Sequence, residues 1–145
     1  MRLIHRTAIA RPLPLVWQVL SRVEDWPDWT PTTRHVRGLD GAALAIGRRF
    51  RVRQPLQRER VWRVTHLETG RAFTWSTDGP FGFEALHRLE PSATGCISHV
   101  ELEAPDHPLL GPILRRMLPA ALAAEARGLC RICATCPASA PPSHA

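Results

Sequence analysis

The stretch FEALHRLEP, Phe83 to Pro91, alternates in the period of an extended chain. Phe83, Ala85, His87 and Leu89 fall on one side, and Glu84, Arg88 and Glu90 on the other, with Leu86 the exception. His87 is thus an imidazole on a face built for burial. Imidazole donates and accepts hydrogen bonds and exchanges protons near neutral pH, so on a cavity wall it orients a ligand or moves a proton. The alternative is a core histidine satisfied by backbone or by a neighbouring side chain. Alternation in other segments puts Gln54, His66 and Thr77 on inward sides as well, a set of polar groups able to converge in an apolar pocket. His87 is the catalytic candidate. Glu84 and Glu90 face outward and do not make an acid/base pair.

Aromatic residues share those inward sides. Trp62 and Trp75 align on neighbouring segments with Phe50, Phe73 and Phe83, and Val52 follows Phe50 on the same face. The chain holds five tryptophans and no tyrosine. Such rings either fill a core or wall a cavity for a flat molecule. In CRICATC, Cys130, Cys133 and Cys136 superficially resemble part of an iron–sulfur ligand run, with His144 trailing. The fourth cysteine, Cys96, lies far away on a predicted strand, and thiols at i, i+3 also suit the last turn of a helix. Neither a metal nor a cofactor is expected. No Ser-His-Asp order and no phosphate-binding glycine loop can be read.

The elements that must position these side chains follow from periodicity. RLIHRTAIA (2–10) reads as a first strand. Leu13, Val16, Trp17 and Leu20 then recur at i, i+3, i+4, i+7, one stripe of a helix with Pro12 and Pro14 near its start. VEDWPDWTP is a turn or second short helix, broken by Pro27 and stopped by Pro31. Period two returns in 48–54, 61–66, 72–77, 83–91 and 96–103, where Ser98, Val100 and Leu102 point inward. Short connections between these segments imply an antiparallel meander. Beyond Pro105, Asp106 is placed to cap a long helix with a stripe of Leu110, Leu114, Leu118, Leu122 and Leu129. Gly111, Pro112 and Pro119 are expected to bend or break its first half. That helix is the one element long enough to cover the sheet. Space is left between them, against Leu114 and Leu118, wherever the facing side chains do not fill it.

At 145 residues, 44% hydrophobic and 22% charged, the chain has the length and composition of one globular domain. The formal charge is +6, but all 19 basic residues are arginine, with no Lys or Asn. Lys, Asn and Tyr share A/T-rich codons, so a G/C-rich coding bias explains the arginines. They are also interleaved with acids instead of forming a dense stripe. No nucleic-acid partner is expected. Arg2, Arg6 and Arg11 interrupt the first apolar residues before a signal-peptide core of roughly 7–15 residues can form. Nothing approaches the roughly 20 apolar residues of a membrane span. The expected compartment is cytoplasmic. The oligomeric state is not legible.

PLPLVWQVLSRVEDWPDWTP resembles the first-helix and Trp-x-x-Trp region of the START-like, polyketide cyclase/dehydrase superfamily. IGRRFRVRQP, FTWS and HRLEPSATG resemble it too, in that order, and the similarity covers roughly residues 3 to 134. It implies an α+β helix-grip fold: a curved antiparallel sheet, two short helices after the first strand, and a long C-terminal helix over a hydrophobic cavity. Residues 1–134 would form this domain and 135–145 a disordered tail. Trp26 and Trp29 would then sit near the cavity mouth, as gate residues or turn anchors. The family's members include lipid and sterol carriers, hormone receptors and aromatase/cyclases, and they share no single catalytic motif. The first functional expectation is binding of a small apolar or aromatic, lipid- or polyketide-like molecule. An enzyme of the cyclase/dehydratase kind that uses a cavity histidine, and a regulatory interaction module without a ligand, are the alternatives. A cavity that exposes His87 beside a second polar group favours the enzyme, a carbon-lined cavity the carrier, and a filled core the module.

Overall fold

Alternating segments joined by short turns pair with their sequence neighbours, and in the computed structural model, which describes residues 1–55 and 57–137, they build one antiparallel sheet. Its strands are β1 (Arg2–Ile9), β2 (His35–Gly38), β3 (Arg49–Arg53), β4 (Arg60–Glu68), β5 (Ala72–Thr77), β6 (Glu84–Ser92) and β7 (Gly95–Glu103). Their order is β1-β7-β6-β5-β4-β3-β2, so the first strand closes onto the last. Between β1 and β2 lie α1 (Leu13–Ser21) and a 3-10 helix (Val23–Asp28), and α2 (Gly111–Thr135) follows β7. This is the helix-grip arrangement expected of the chain.

One sheet face carries the core. Phe50, Val52, Trp62, Val64, Phe73, Trp75, Ala85, Leu89 and Leu102 are all buried there. The other face is solvated: Arg49, Arg51 and Arg53 are exposed, with Arg49 on Asp40 at 2.9 Å and Arg51 on Glu59 at 2.8 Å. Exposed pairs of this kind add little stability. Glu84 and Glu90 lie on this face as well, Glu90 against Arg6 at 3.4 Å and Arg88 at 3.3 Å.

α2 packs on β1 and α1. Gly128 lets it come close: a Cβ there would stand 2.0 Å from the Trp29 carbonyl oxygen. Only hydrogen fits in that gap. The helix is thus seated directly on the backbone of the turn that follows the 3-10 helix.

Several local expectations are corrected, and one strand was not foreseen. β2 had no signal, because Val36 is its one buried residue. His66 is exposed instead of inward, since a bulge between Val64 and His66 shifts the register and reverses the facing of the residues beyond it. Asp106 does not cap α2; Leu110 is the N-cap residue, without a side-chain cap. His107 serves the preceding turn instead, its Nδ1 accepting the N–H groups of Leu109 and Leu110, each at 3.1 Å. Finally, α2 runs unbroken through Pro119, with Pro112 in the first turn, where its missing N–H costs nothing. Pro119 removes one internal helical bond, which a long helix anchored by tertiary packing tolerates. Leu110, the first residue of the expected stripe, is 51% exposed. Residues 138–145 of the expected tail, with His144, lie outside the described residues.

The four cysteines are free. Cys96 and Cys133 are wholly buried, and burial pushes the Cys133 thiol up to about 12. Among the described residues no three or more His, Cys, Asp or Glu side chains are grouped to hold a metal ion. Nor is any helix among them long and apolar enough to cross a membrane.

Candidate functional site

Sheet and helix do not meet everywhere. Between them lies a cavity of about 290 Å³, close to the lower end of ligand pockets. The sheet supplies Val52 from β3 with Gln54 just beyond it, Trp62 from β4, Trp75 from β5, Ala85 and His87 from β6 with Phe83 just before it, and Val100 and Leu102 from β7. From α2 come Leu114, Met117, Leu118, Ala121, Leu122 and Glu125, one helical face. Trp26 and residues 31–33 close the remaining side, together with Pro55 and Gln57.

The aromatic wall is a set of tilted, edge-on contacts, the geometry ring quadrupoles prefer. Trp75 stands 5.2 Å from Trp62 and 5.3 Å from Trp26 between ring centroids. Phe83 follows Trp62 at 6.4 Å, and the Arg60 guanidinium lies over the Phe83 ring at 5.0 Å. Trp26 is fixed by its indole N–H, which donates to the Leu20 carbonyl at 2.9 Å.

His87 is 3% exposed and lies stacked on Phe73, centroids 5.0 Å apart, with the Trp26 ring edge-on at 5.2 Å. Its Nδ1 has no hydrogen-bond partner among the described residues. Glu125 Oε1 stands 3.6 Å from it, beyond hydrogen-bond length. Burial in this apolar surround disfavours charge on both groups: it pushes His87 down to about 3 and Glu125 up to about 7. Around pH 7 the imidazole is therefore neutral and the carboxyl is at its midpoint. Trp62, 6% exposed, also borders the cavity, and its buried indole N–H finds no partner among the described residues.

Of the residues singled out in the sequence, Trp26, Val52, Gln54, Trp62, Trp75, Phe83, His87, Leu114 and Leu118 border the cavity. Four do not. Phe50 and Phe73 are sealed at 0% and 1% exposure behind Trp75 and His87. The Thr77 hydroxyl is taken by the backbone N–H of Phe83 at 2.8 Å, so it closes the β5–β6 connection. Trp29 is buried beside the α2 backbone at Gly128.

The residue that sequence reasoning missed is Glu125. It stands three residues after Leu122, seven after Leu118 and four before Leu129, on the apolar stripe itself. It is also the one acid after Asp106. A lone carboxylate on a leucine stripe was the available signal.

A family model described as polyketide cyclase / dehydrase and lipid transport matches residues 1–135. No curated protein matches the chain in sequence. Among solved structures, a START superfamily protein from Mycobacterium smegmatis superposes with a TM-score of 0.76 at 15% identity, over 92% of this chain and 97% of its own. A protein from Nitrosomonas europaea gives 0.69 at 15% identity, over 92% and 94%. The two-domain aromatase/cyclase of the steffimycin biosynthetic pathway gives 0.70 at 15% identity, over 92% of this chain and 50% of its own. At these identities the likeness is one of fold.

Proposed function

Since the chain belongs to the polyketide cyclase/dehydrase and lipid transport family, we propose that it binds a small, flat, apolar molecule between its sheet and α2. One observation carries this reading: a cavity of about 290 Å³ remains open among Trp26, Trp62, Trp75, Phe83 and the leucines of α2. Protein interiors otherwise close to crystal density, and a void of this size, room for roughly ten waters, forfeits packing energy unless something occupies it. The test is a titration with naphthalene, followed by tryptophan fluorescence and calorimetry. Saturable binding is expected, and its loss in Ala121→Trp, which fills the cavity from the helix side. No saturation, or unchanged binding in a folded Ala121→Trp, refutes the reading.

A second reading is that the bound molecule is also turned over, and the His87–Glu125 pair favours it. A carboxyl poised near 7 can take a proton at one atom and return one at another, whereas burial disfavours a proton gained by His87. Glu125 would move the proton, and the neutral His87 would orient a substrate held against the aromatic wall. Loss of turnover in His87→Phe with ligand binding retained would establish it.

A further inference from the structure

The sheet does not close on itself. β1 is an edge strand, paired with β7 alone. The Met1 amino group donates to the Ala104 carbonyl at 2.9 Å, and the Ala104 N–H donates to the Met1 carbonyl at 2.8 Å. That reciprocal pair sets the phase of the ladder: Leu3, His5, Thr7 and Ile9 turn their backbone groups to β7. The N–H and C=O groups of Ile4, Arg6 and Ala8 point the other way. None of those three N–H groups finds a backbone acceptor among the described residues. Ile4, 53% exposed, stands in the middle of this edge. An unpaired edge is a template for another strand.

The edge opens onto a groove of about 430 Å³ between β1 and α2, which shares no lining residue with the cavity under the sheet. β1 contributes His5 and Thr7, and α2 contributes Ala123, Ala126 and Cys130 with Arg127 and Arg131. The two elements run alongside each other in one direction. The Cys130 thiol lies 4.0 Å from the Ala8 carbonyl, and further on the Arg11 guanidinium donates to the Cys136 carbonyl at 2.7 Å. Arg127 and Arg131 are both exposed and stand one helical turn apart, about 6 Å. Alternate residues of a strand are about 6.8 Å apart, so acids at i and i+2 of an added strand match that spacing. No acid borders the groove, and neither arginine pairs with one among the described residues. Arg2 and Arg6 of β1, by contrast, are already matched by Glu101 at 3.0 Å and Glu90 at 3.4 Å.

We propose that the β1 edge takes an acidic, extended segment of a partner protein as an added strand, with its carboxylates on Arg127 and Arg131. Backbone bonds to Ile4, Arg6 and Ala8 supply the affinity, and the two arginines supply the choice of sequence. A second copy of this chain is a poor occupant. Two β1 strands paired antiparallel about Ile4 set Arg2 against Arg6 twice, and like charges directly opposite are destabilising. The chain's own residues 138–145, ASAPPSHA, have no acid to offer, and their two prolines cannot donate to a ladder.

Three labelled peptides of eight residues, the length of β1, test this against the full chain at low salt. One alternates threonine and glutamate, the second has lysine for glutamate, and the third is the glutamate peptide with every backbone amide methylated. Fluorescence anisotropy reads binding, and amide hydrogen exchange reads where it occurs. The glutamate peptide is expected to saturate and to bind about tenfold tighter than the lysine peptide, the worth of two exposed ion pairs against two repulsions. It should slow exchange at the N–H groups of Ile4, Arg6 and Ala8. The methylated peptide, with its charge intact and its donors gone, should bind at least several-fold more weakly. In Arg127→Gln/Arg131→Gln the preference for glutamate over lysine should fall at least several-fold. Failure of the glutamate peptide to bind, equal binding of the lysine or methylated peptide, or an unchanged preference in the double variant overturns the proposal. So does binding without slowed exchange at those three amides. Exchange at the same amides that slows with protein concentration alone would give the edge to a second copy, and would overturn it as well. None of these outcomes bears on the cavity under the sheet.

Discussion

Replacing Glu125 with glutamine should stabilise the protein, and by an amount that depends on pH in a defined direction. The unfolded chain ionises this carboxyl near its ordinary 4.5, and the folded protein near 7, because burial raises it. Between those values the folded state keeps a proton that the unfolded state has lost. Stability that is complete below about pH 4.5 is therefore lost as pH rises towards 7, and it stays lost above. Each unit of difference is worth about 1.4 kcal/mol, so the full effect approaches about 3.5 kcal/mol. The side chain's 17% exposure reduces it, and we expect about 1–3 kcal/mol. Glutamine has nearly the same shape and cannot ionise. The difference in unfolding free energy between Glu125→Gln and wild type should be near zero at about pH 4 and should grow to that value by about pH 7.5. His87, pushed down to about 3, gives both proteins the same rise in stability from about pH 3 to 6.5, which cancels in the difference. Urea titrations of the two proteins across this range measure it. A glutamine variant that is less stable than wild type near neutrality, with the gap closing in acid, would mean that Glu125 and His87 form an ion pair. The two groups would then not be neutral in the folded protein.

Gly128→Ala should lower the melting temperature by several degrees. The helix-propensity gain of alanine, about 1 kcal/mol, is outweighed by moving α2 off the Trp29 carbonyl; a melting temperature equal to wild type would show that the contact yields. Duplex DNA should bind weakly and without sequence preference, because several arginines of the solvated face are paired with acids. A salt titration that leaves a sequence-selective complex intact near physiological ionic strength would contradict this.

The parts of the fold that repeat a period were readable, and the parts that break one were not. β3 and most of β6 alternate burial, β5 and β7 do so except at Ala72 and His99, and the meander order follows from the short turns between them. β2 is four residues long with a single buried side chain, so no window of sequence distinguishes it from a loop. The bulge in β4 inserts one residue without any glycine or proline to announce it, and that is why His66 was placed on the wrong face. Pro119 was given too much weight for the opposite reason. Local rules make proline a helix breaker, while the tertiary anchoring of α2 on both sides of it, by Leu118 and by Ala126 to Leu129, overrides the loss of one hydrogen bond.

The site follows the same logic. His87 was visible because a polar residue on an alternating apolar strand stands out against a short, regular background. Glu125 was hidden because a 25-residue helix has charges on most of its turns, and only the phase of the leucines shows that this one faces inward. The pairing of the two depends on the docking of α2, which no local pattern encodes. It depends in particular on the close seat at Gly128, three residues beyond Glu125, where the absence of a Cβ lets the helix approach Trp29. Withdrawal of α2 by even an ångström would lengthen the 3.6 Å separation from His87 and admit water between the two groups. Rehydration would return Glu125 towards its ordinary titration range. Gly128→Ala therefore carries a second expectation at the site itself: the pH dependence assigned to Glu125 should shrink in that variant. Chemical denaturation of Gly128→Ala and of the double variant Gly128→Ala/Glu125→Gln, across the same pH range, isolates the effect. An undiminished pH-dependent gap between those two would show that the geometry of the pair does not depend on how closely the helix is seated.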